Sequence, residues 1–98
     1  MNKYYKQAKK DVGTVIDLLK SGKLSIEDTF YAIEAIGATK SSIILPILLK
    51  YADHPIPIIR EAVLYAASMN LTKKRYDLIK KTFMKDSNET IVSIAKDI

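Results

Sequence analysis

A chain of 98 residues with no cysteine and one histidine, His54, lacks the material for disulfides, thiolate zinc sites, cysteine nucleophiles or an imidazole cluster. Apolar residues are 48% of it and charged residues 28%, the balance of a single globular domain rather than a disordered tail; three glycines and three prolines are too few for a loop-rich β fold. The net charge of +5 is unevenly spread: residues 1–24 and 71–98 are basic, and residues 25–70 are mildly acidic.

The apolar spacing reads as six helices in chain order. In the first, Tyr5, Ala8, Val12, Val15, Ile16 and Leu19 share a stripe, with Gly13 inside and Gly22 as a left-handed cap. A serine cap at Ser25 and the early acids Glu27 and Asp28 open the second, whose stripe runs through Phe30, Ile33 and Ile36 to a stop at Gly37. The third starts near Ser41-Ser42, because Pro46 is tolerated only in a first turn; apolar on nearly every side, it is expected to be the most buried. Pro57 opens the fourth, which runs to about Met69. The fifth begins at Thr72, with Leu71 and Tyr76 as a staple across the cap, and carries Ile79 and Phe83. Asp86-Ser87-Asn88 breaks the chain before the sixth, Glu89 to Ile98. No segment alternates with period two, so the expected fold class is all-α.

Shifted by 30 residues, the first two predicted helices fall on the next two: Leu18-Leu19-Lys20 on Leu48-Leu49-Lys50, and Ala32-Ile33 on Ala62-Val63. A further shift of 31 puts Leu48 on Ile79, and one extra loop residue puts Ile59 on Ile91. Three helical hairpins emerge, over residues 1–38, 39–70 and 71–98. A lone hairpin cannot cover its apolar stripe, so neighbours must stack around one shared core. A compact helix bundle fits the same periodicity and stands as the alternative.

The middle unit carries a more specific pattern. Leu45-Pro46-Ile47-Leu48-Leu49-Lys50, then Asp53-His54-Pro55-Ile56-Pro57-Ile58-Ile59-Arg60-Glu61-Ala62-Val63, closing on Ala66-Ala67, resembles a HEAT repeat of the short bacterial and archaeal kind, also found in phycobilin lyase-like proteins. The flanking units depart from it: Thr29-Phe30 and Ile91-Val92 stand where the middle unit has Ile59-Arg60. The resemblance implies a short right-handed α-solenoid in which Arg60 bonds turn groups, often the aspartate, here Asp53, to fix the hairpin angle.

Candidate functional residues follow from that layout. His54, without a second ligand nearby, reads as a solvated turn histidine. Glu27, Asp28 and Glu34 are accounted for by the helix dipole rather than by acid–base chemistry. No catalytic set, cofactor site or metal site can be assembled, so the expected function is non-catalytic. In a HEAT-like stack the second helix of each hairpin lines a concave groove. There Tyr31, Glu34, Glu61, Leu64, Tyr65 and Val92 are expected to hold a helix or an extended segment of a partner protein. The runner-up is nucleic-acid association through basic residues of the first and fifth predicted helices on the outer layer, Lys3, Lys6 and Lys10 with Lys73, Lys74, Lys81 and Lys85, although the acidic groove would repel phosphates. Val92 and Ile98 leave the last hairpin wanting a neighbour, either a second copy of the chain or a continuation of the array. With no membrane-length apolar run and no apolar signal core behind the basic N-terminus, a cytoplasmic protein is expected.

Overall fold

Every element in the computed structural model, which describes residues 2–98, is helical. The order is α1 (Lys3–Lys10), α2 (Val12–Ser21), α3 (Ile26–Gly37), a 3-10 turn (Ser42–Ile44), α4 (Leu45–Tyr51), α5 (Pro57–Asn70), α6 (Lys73–Phe83) and α7 (Glu89–Asp97). Most starts are set by the side chains the sequence offers for capping. Ser25 accepts from the Asp28 N–H, Thr72 from the Arg75 N–H, and Asn88 from the N–H groups of Thr90 and Ile91. Pro46 and Pro57 each sit in a first turn, where a missing N–H costs no bond.

The first predicted helix is two helices. Asp11 ends α1, its own N–H reaching the Gln7 carbonyl at 2.9 Å, and it starts α2 by accepting from the Gly13 N–H at 3.0 Å. With φ −157° and ψ 97°, Asp11 is extended. An aspartate competes with the backbone for N–H groups, which is why it suits a cap better than a helix interior. The break also moves the buried stripe. Val12 belongs to a different helix and cannot set the phase of α1, whose buried side chains are Tyr4 and Ala8 rather than Tyr5 and Ala8.

Consecutive helices pack as the pairs α2–α3, α4–α5 and α6–α7. α3 packs on α5, α5 on α7, and α2 on α4, while α1 lies against α2 and α3 at the N-terminal end. The middle element is α5, which meets α3, α4, α6 and α7. It buries Ile59, Ala62, Val63, Leu64, Ala66 and Ala67, so it is α5 and not the more apolar α4 that occupies the centre. On α4 the faces separate: Ile47, Leu48 and Tyr51 are buried, but Leu49 is 55% exposed.

Burial also revises the repeat. Leu19 is wholly buried and Leu49 is not, so the 30-residue register fails for the first helices of the hairpins. Their buried positions instead recur at 32: Val15 and Leu19 correspond to Ile47 and Tyr51, and these to Ile79 and Phe83. The second helices keep 30 between Ala32-Ile33 and Ala62-Val63. The difference of two lies in the helices and not in the turn: α2 runs two residues past Leu19 whereas α4 ends at Tyr51, and α3 has six residues before Ala32 where α5 has five before Ala62, while the α2–α3 turn is one residue shorter than the α4–α5 turn.

Two polar ties hold neighbouring hairpins together. The Tyr51 hydroxyl donates to the Leu19 carbonyl at 2.5 Å, and Lys50 Nζ to the Lys20 carbonyl at 3.2 Å, joining α4 to the end of α2. Arg60 does not reach Asp53, which is exposed. Its guanidinium donates to both carboxylate oxygens of Asp86 in the α6–α7 turn, at 2.8 and 3.0 Å, and to the carbonyls of His54 and Pro55 in its own turn, at 2.8 and 3.3 Å. Asp86 lies nearer to Arg60's fork because it sits in the corresponding turn of the adjacent hairpin, whereas Asp53 points to solvent at the near end of the same turn. His54 is half-buried rather than solvated. Its Nδ1 accepts from the Ile56 N–H at 3.0 Å and its ring stacks on Tyr51.

Candidate functional site

The helices α3 and α5 approach closely because the residues between them are small. Gly37 is the last residue of α3, the stop expected of it, and it is also a packing requirement, because a Cβ there would lie 2.7 Å from the Cα and Cβ of Ala66. Beyond it the chain turns through Ala38 and Thr39 to Lys40, which takes the left-handed φ of 59°. Asn70 holds that turn, donating to the Ser41 carbonyl at 2.7 Å and accepting from the N–H groups of Lys40 (2.9 Å) and Ser41 (3.0 Å).

The same small side chains leave a hollow on the solvent side. A cleft of about 260 Å³ has Ala62 and Ala66 as its floor and Tyr5, Phe30, Glu34, Tyr65 and Met69 as its walls. Tyr65 and Met69 are about half exposed, as is Ile58 two and three turns before them on the same ridge of α5. Side chains at such spacing share one helical face, so three large apolar groups stand in a row beside the cleft.

One wall comes from α1. The Tyr5 hydroxyl donates to Glu34 Oε1 at 3.0 Å, and Asn2 Nδ2 donates to the same oxygen at 3.4 Å and to the Tyr31 carbonyl at 2.6 Å. Burial, and secondarily the hydrogen bond and charge of Glu34, raise the Tyr5 pKa above its ordinary value, which keeps this hydroxyl a donor. Lys3 adds an exposed ion pair with Asp28 at 3.8 Å.

The expected groove residues are only partly brought together. Tyr65 and Glu34 line the cleft. Leu64 is completely buried and faces the core, so it is not available to a partner. Tyr31 is half-buried, edge-on to Phe30 and beneath Asn2. Glu61 is half-buried on α5 outside the cleft, and Val92 is half-buried on α7. Tyr5 and Phe30 were placed on core stripes by the sequence, yet both line the cleft. For Tyr5 the signal was Asp11, whose capping character shifts the phase of α1 by one residue. Lys73, Lys74, Lys81 and Lys85 are all exposed on or just beyond α6.

A wider hollow of about 850 Å³ lies between the C-terminal ends of α1 and α3, edged by Lys9, Lys10, Asp11 and Thr39. Its Asp11 and Thr39 side chains are engaged locally: Asp11 accepts from the Gly13 N–H and the Thr14 hydroxyl, and the Thr39 hydroxyl donates to the Ile36 carbonyl. Among the described residues, no helix is long and apolar enough to cross a membrane and no cluster of three or more potential metal ligands forms. Set against protein families, curated proteins and solved structures, the chain matches none.

Proposed function

We propose that this chain is a short HEAT-like α-solenoid of three hairpins, non-catalytic and cytoplasmic, that binds a segment of a partner protein along the α3–α5 face. The observation that carries the reading is the row Ile58, Tyr65 and Met69 exposed beside a cleft floored by alanines. Large apolar side chains next to a small pocket are what a binding surface offers to an anchoring residue.

Three further features support it. Second helices pack on second helices in series, α3 on α5 on α7, as stacked repeats require. Three hairpin layers at the usual interhelical spacing of roughly 8–10 Å make a body about 30 Å long, close to the longest extent of 33 Å. Arg60 bonds the turn of its own hairpin, the role the HEAT resemblance gives it, while its carboxylate partner comes from the next hairpin. The occupant is a helix or extended segment with an apolar anchor for the cleft. Among the described residues Glu61 forms no ion pair, and it favours a cation on the partner.

Affinity capture from the native cell tests this. Proteins retained by the wild type are expected to be lost with Tyr65→Ser plus Met69→Ser, both at exposed positions, and to persist when Lys74 and Lys81 are changed to glutamate. Equal recovery by wild type and the Tyr65/Met69 variant would remove the α3–α5 face from consideration.

A further inference from the structure

The helix α6 carries five cations, Lys73, Lys74, Arg75, Lys80 and Lys81, against the single acid Asp77. Its apolar face, Tyr76, Ile79 and Phe83, is buried. The opposite face is a stripe at helical spacing, Lys74, Leu78, Lys81 and Lys85, in which an apolar residue is set among cations. Leu78 is 66% exposed, more than any other large apolar side chain among the described residues. Beside the stripe, between α6 and α7, lies a cleft of about 390 Å³ lined by Asp77, Lys80, Lys81, Met84 and Lys96. The ion pairs among the described residues are Lys3–Asp28 and Arg60–Asp86, so none of the α6 cations is neutralised within the chain.

From this combination we propose a second docking surface, independent of the α3–α5 face: the α6–α7 flank takes an acidic amphipathic helix of a partner protein. Its apolar residues, three or four apart, would cover Leu78 and Met84, and its carboxylates would meet Lys74, Lys80, Lys81, Lys85 and Lys96. Charge complementarity selects this occupant. A second copy would bring the same cations against these and be repelled. A phosphate backbone would satisfy the lysines but leave Leu78 and Met84 facing charged oxygen and water. An anionic membrane surface needs a broader apolar face than one leucine and one methionine provide. Helix-in-groove recognition uses this arrangement of spaced apolar anchors with polar flanks.

The test is a selection of random 16-residue displayed peptides on the wild-type protein, followed by fluorescence-anisotropy titration of the enriched peptides. A 20-nucleotide single-stranded DNA and phosphatidylserine-containing vesicles are titrated in parallel. The expected peptides are rich in Asp and Glu around Leu, Ile or Met at spacing three and four. Their binding should weaken about tenfold or more with Leu78→Ser, and similarly with Lys81→Glu, as for truncated anchors and reversed rim charges. It should fall with added salt and be unchanged by Tyr65→Ser plus Met69→Ser, which separates it from the α3–α5 surface. The proposal is overturned if the enriched peptides are not acidic or are indifferent to Leu78→Ser. It is equally overturned if DNA or vesicles bind more tightly than any peptide, if nothing is enriched, or if sedimentation shows that Leu78 serves self-association.

Discussion

Arg60 illustrates how far a single residue can be read. The sequence pattern assigns it to bonding a turn, and the structure places its fork on two turn carbonyls and on Asp86, with the side chains only 12% and 7% exposed. A guanidinium with four acceptors in reach is satisfied, but removing either partner leaves a charge stranded in a poorly hydrated site. Arg60→Leu or Asp86→Ala is therefore expected to lower the unfolding free energy by about 3 kcal/mol, within the range for breaking a shielded pair, as read by urea denaturation. The hydrogen bond from Arg60 holds the Asp86 carboxyl below its ordinary pKa, outweighing burial, which acts the other way. With the folded value depressed, the stabilisation is complete above the unfolded carboxylate value of about 3.9 and disappears as pH falls through the folded value. Below pH 4 the wild type should accordingly lose stability more steeply than Asp86→Asn. Parallel slopes would show that the pair contributes nothing to the pH dependence.

At the scale of the element, the sequence revealed where helices begin better than which face they bury. Ser25, Thr72, Asn88, Pro46 and Pro57 act locally, each on N–H groups a few residues away, and so their positions are legible without a fold. Asp11 carried the same information, but it was hidden inside an apolar periodicity that runs on by coincidence from α1 to α2. Gly37 ends α3 as the sequence expects, but its packing role was hidden for a different reason. Its meaning depends on Ala66, 29 residues away in sequence, and no local signal reports a helix crossing. Because that contact is with backbone-tied atoms, Gly37→Ala must push α3 and α5 apart. A loss of about 1–3 kcal/mol is expected, as for overpacked cores, with distortion of the adjoining cleft visible as weakened partner capture. A gain in stability would mean that the glycine is tolerated only for lack of selection. Tyr51→Phe removes one buried hydroxyl bond to Leu19 while keeping the ring. It should cost about 1 kcal/mol in the thermal or urea midpoint, and a larger effect would indicate that the α2–α4 tie also orients the stacked His54.

For the whole molecule, the all-helical fold class was legible, whereas the arrangement of surfaces was not. Period and apolar register are properties of the chain, but whether Leu64 or Tyr65 faces outward depends on where α7 and α3 press on α5, which only the assembled packing decides. The charge distribution survives better: α6 keeps an exposed basic face, and none of its lysines forms an ion pair among the described residues. The central claim is that three two-helix units lie in series, each bound chiefly to its neighbour. Native-state amide hydrogen exchange on the wild type and Arg60→Leu addresses it most directly. Opening of α6–α7 is expected at lower free energy than opening of α3 and α5, and Arg60→Leu is expected to reduce protection in α6–α7 while leaving α2 and α3 nearly untouched. Protection lost uniformly from all helices would contradict the account and describe one cooperative bundle instead.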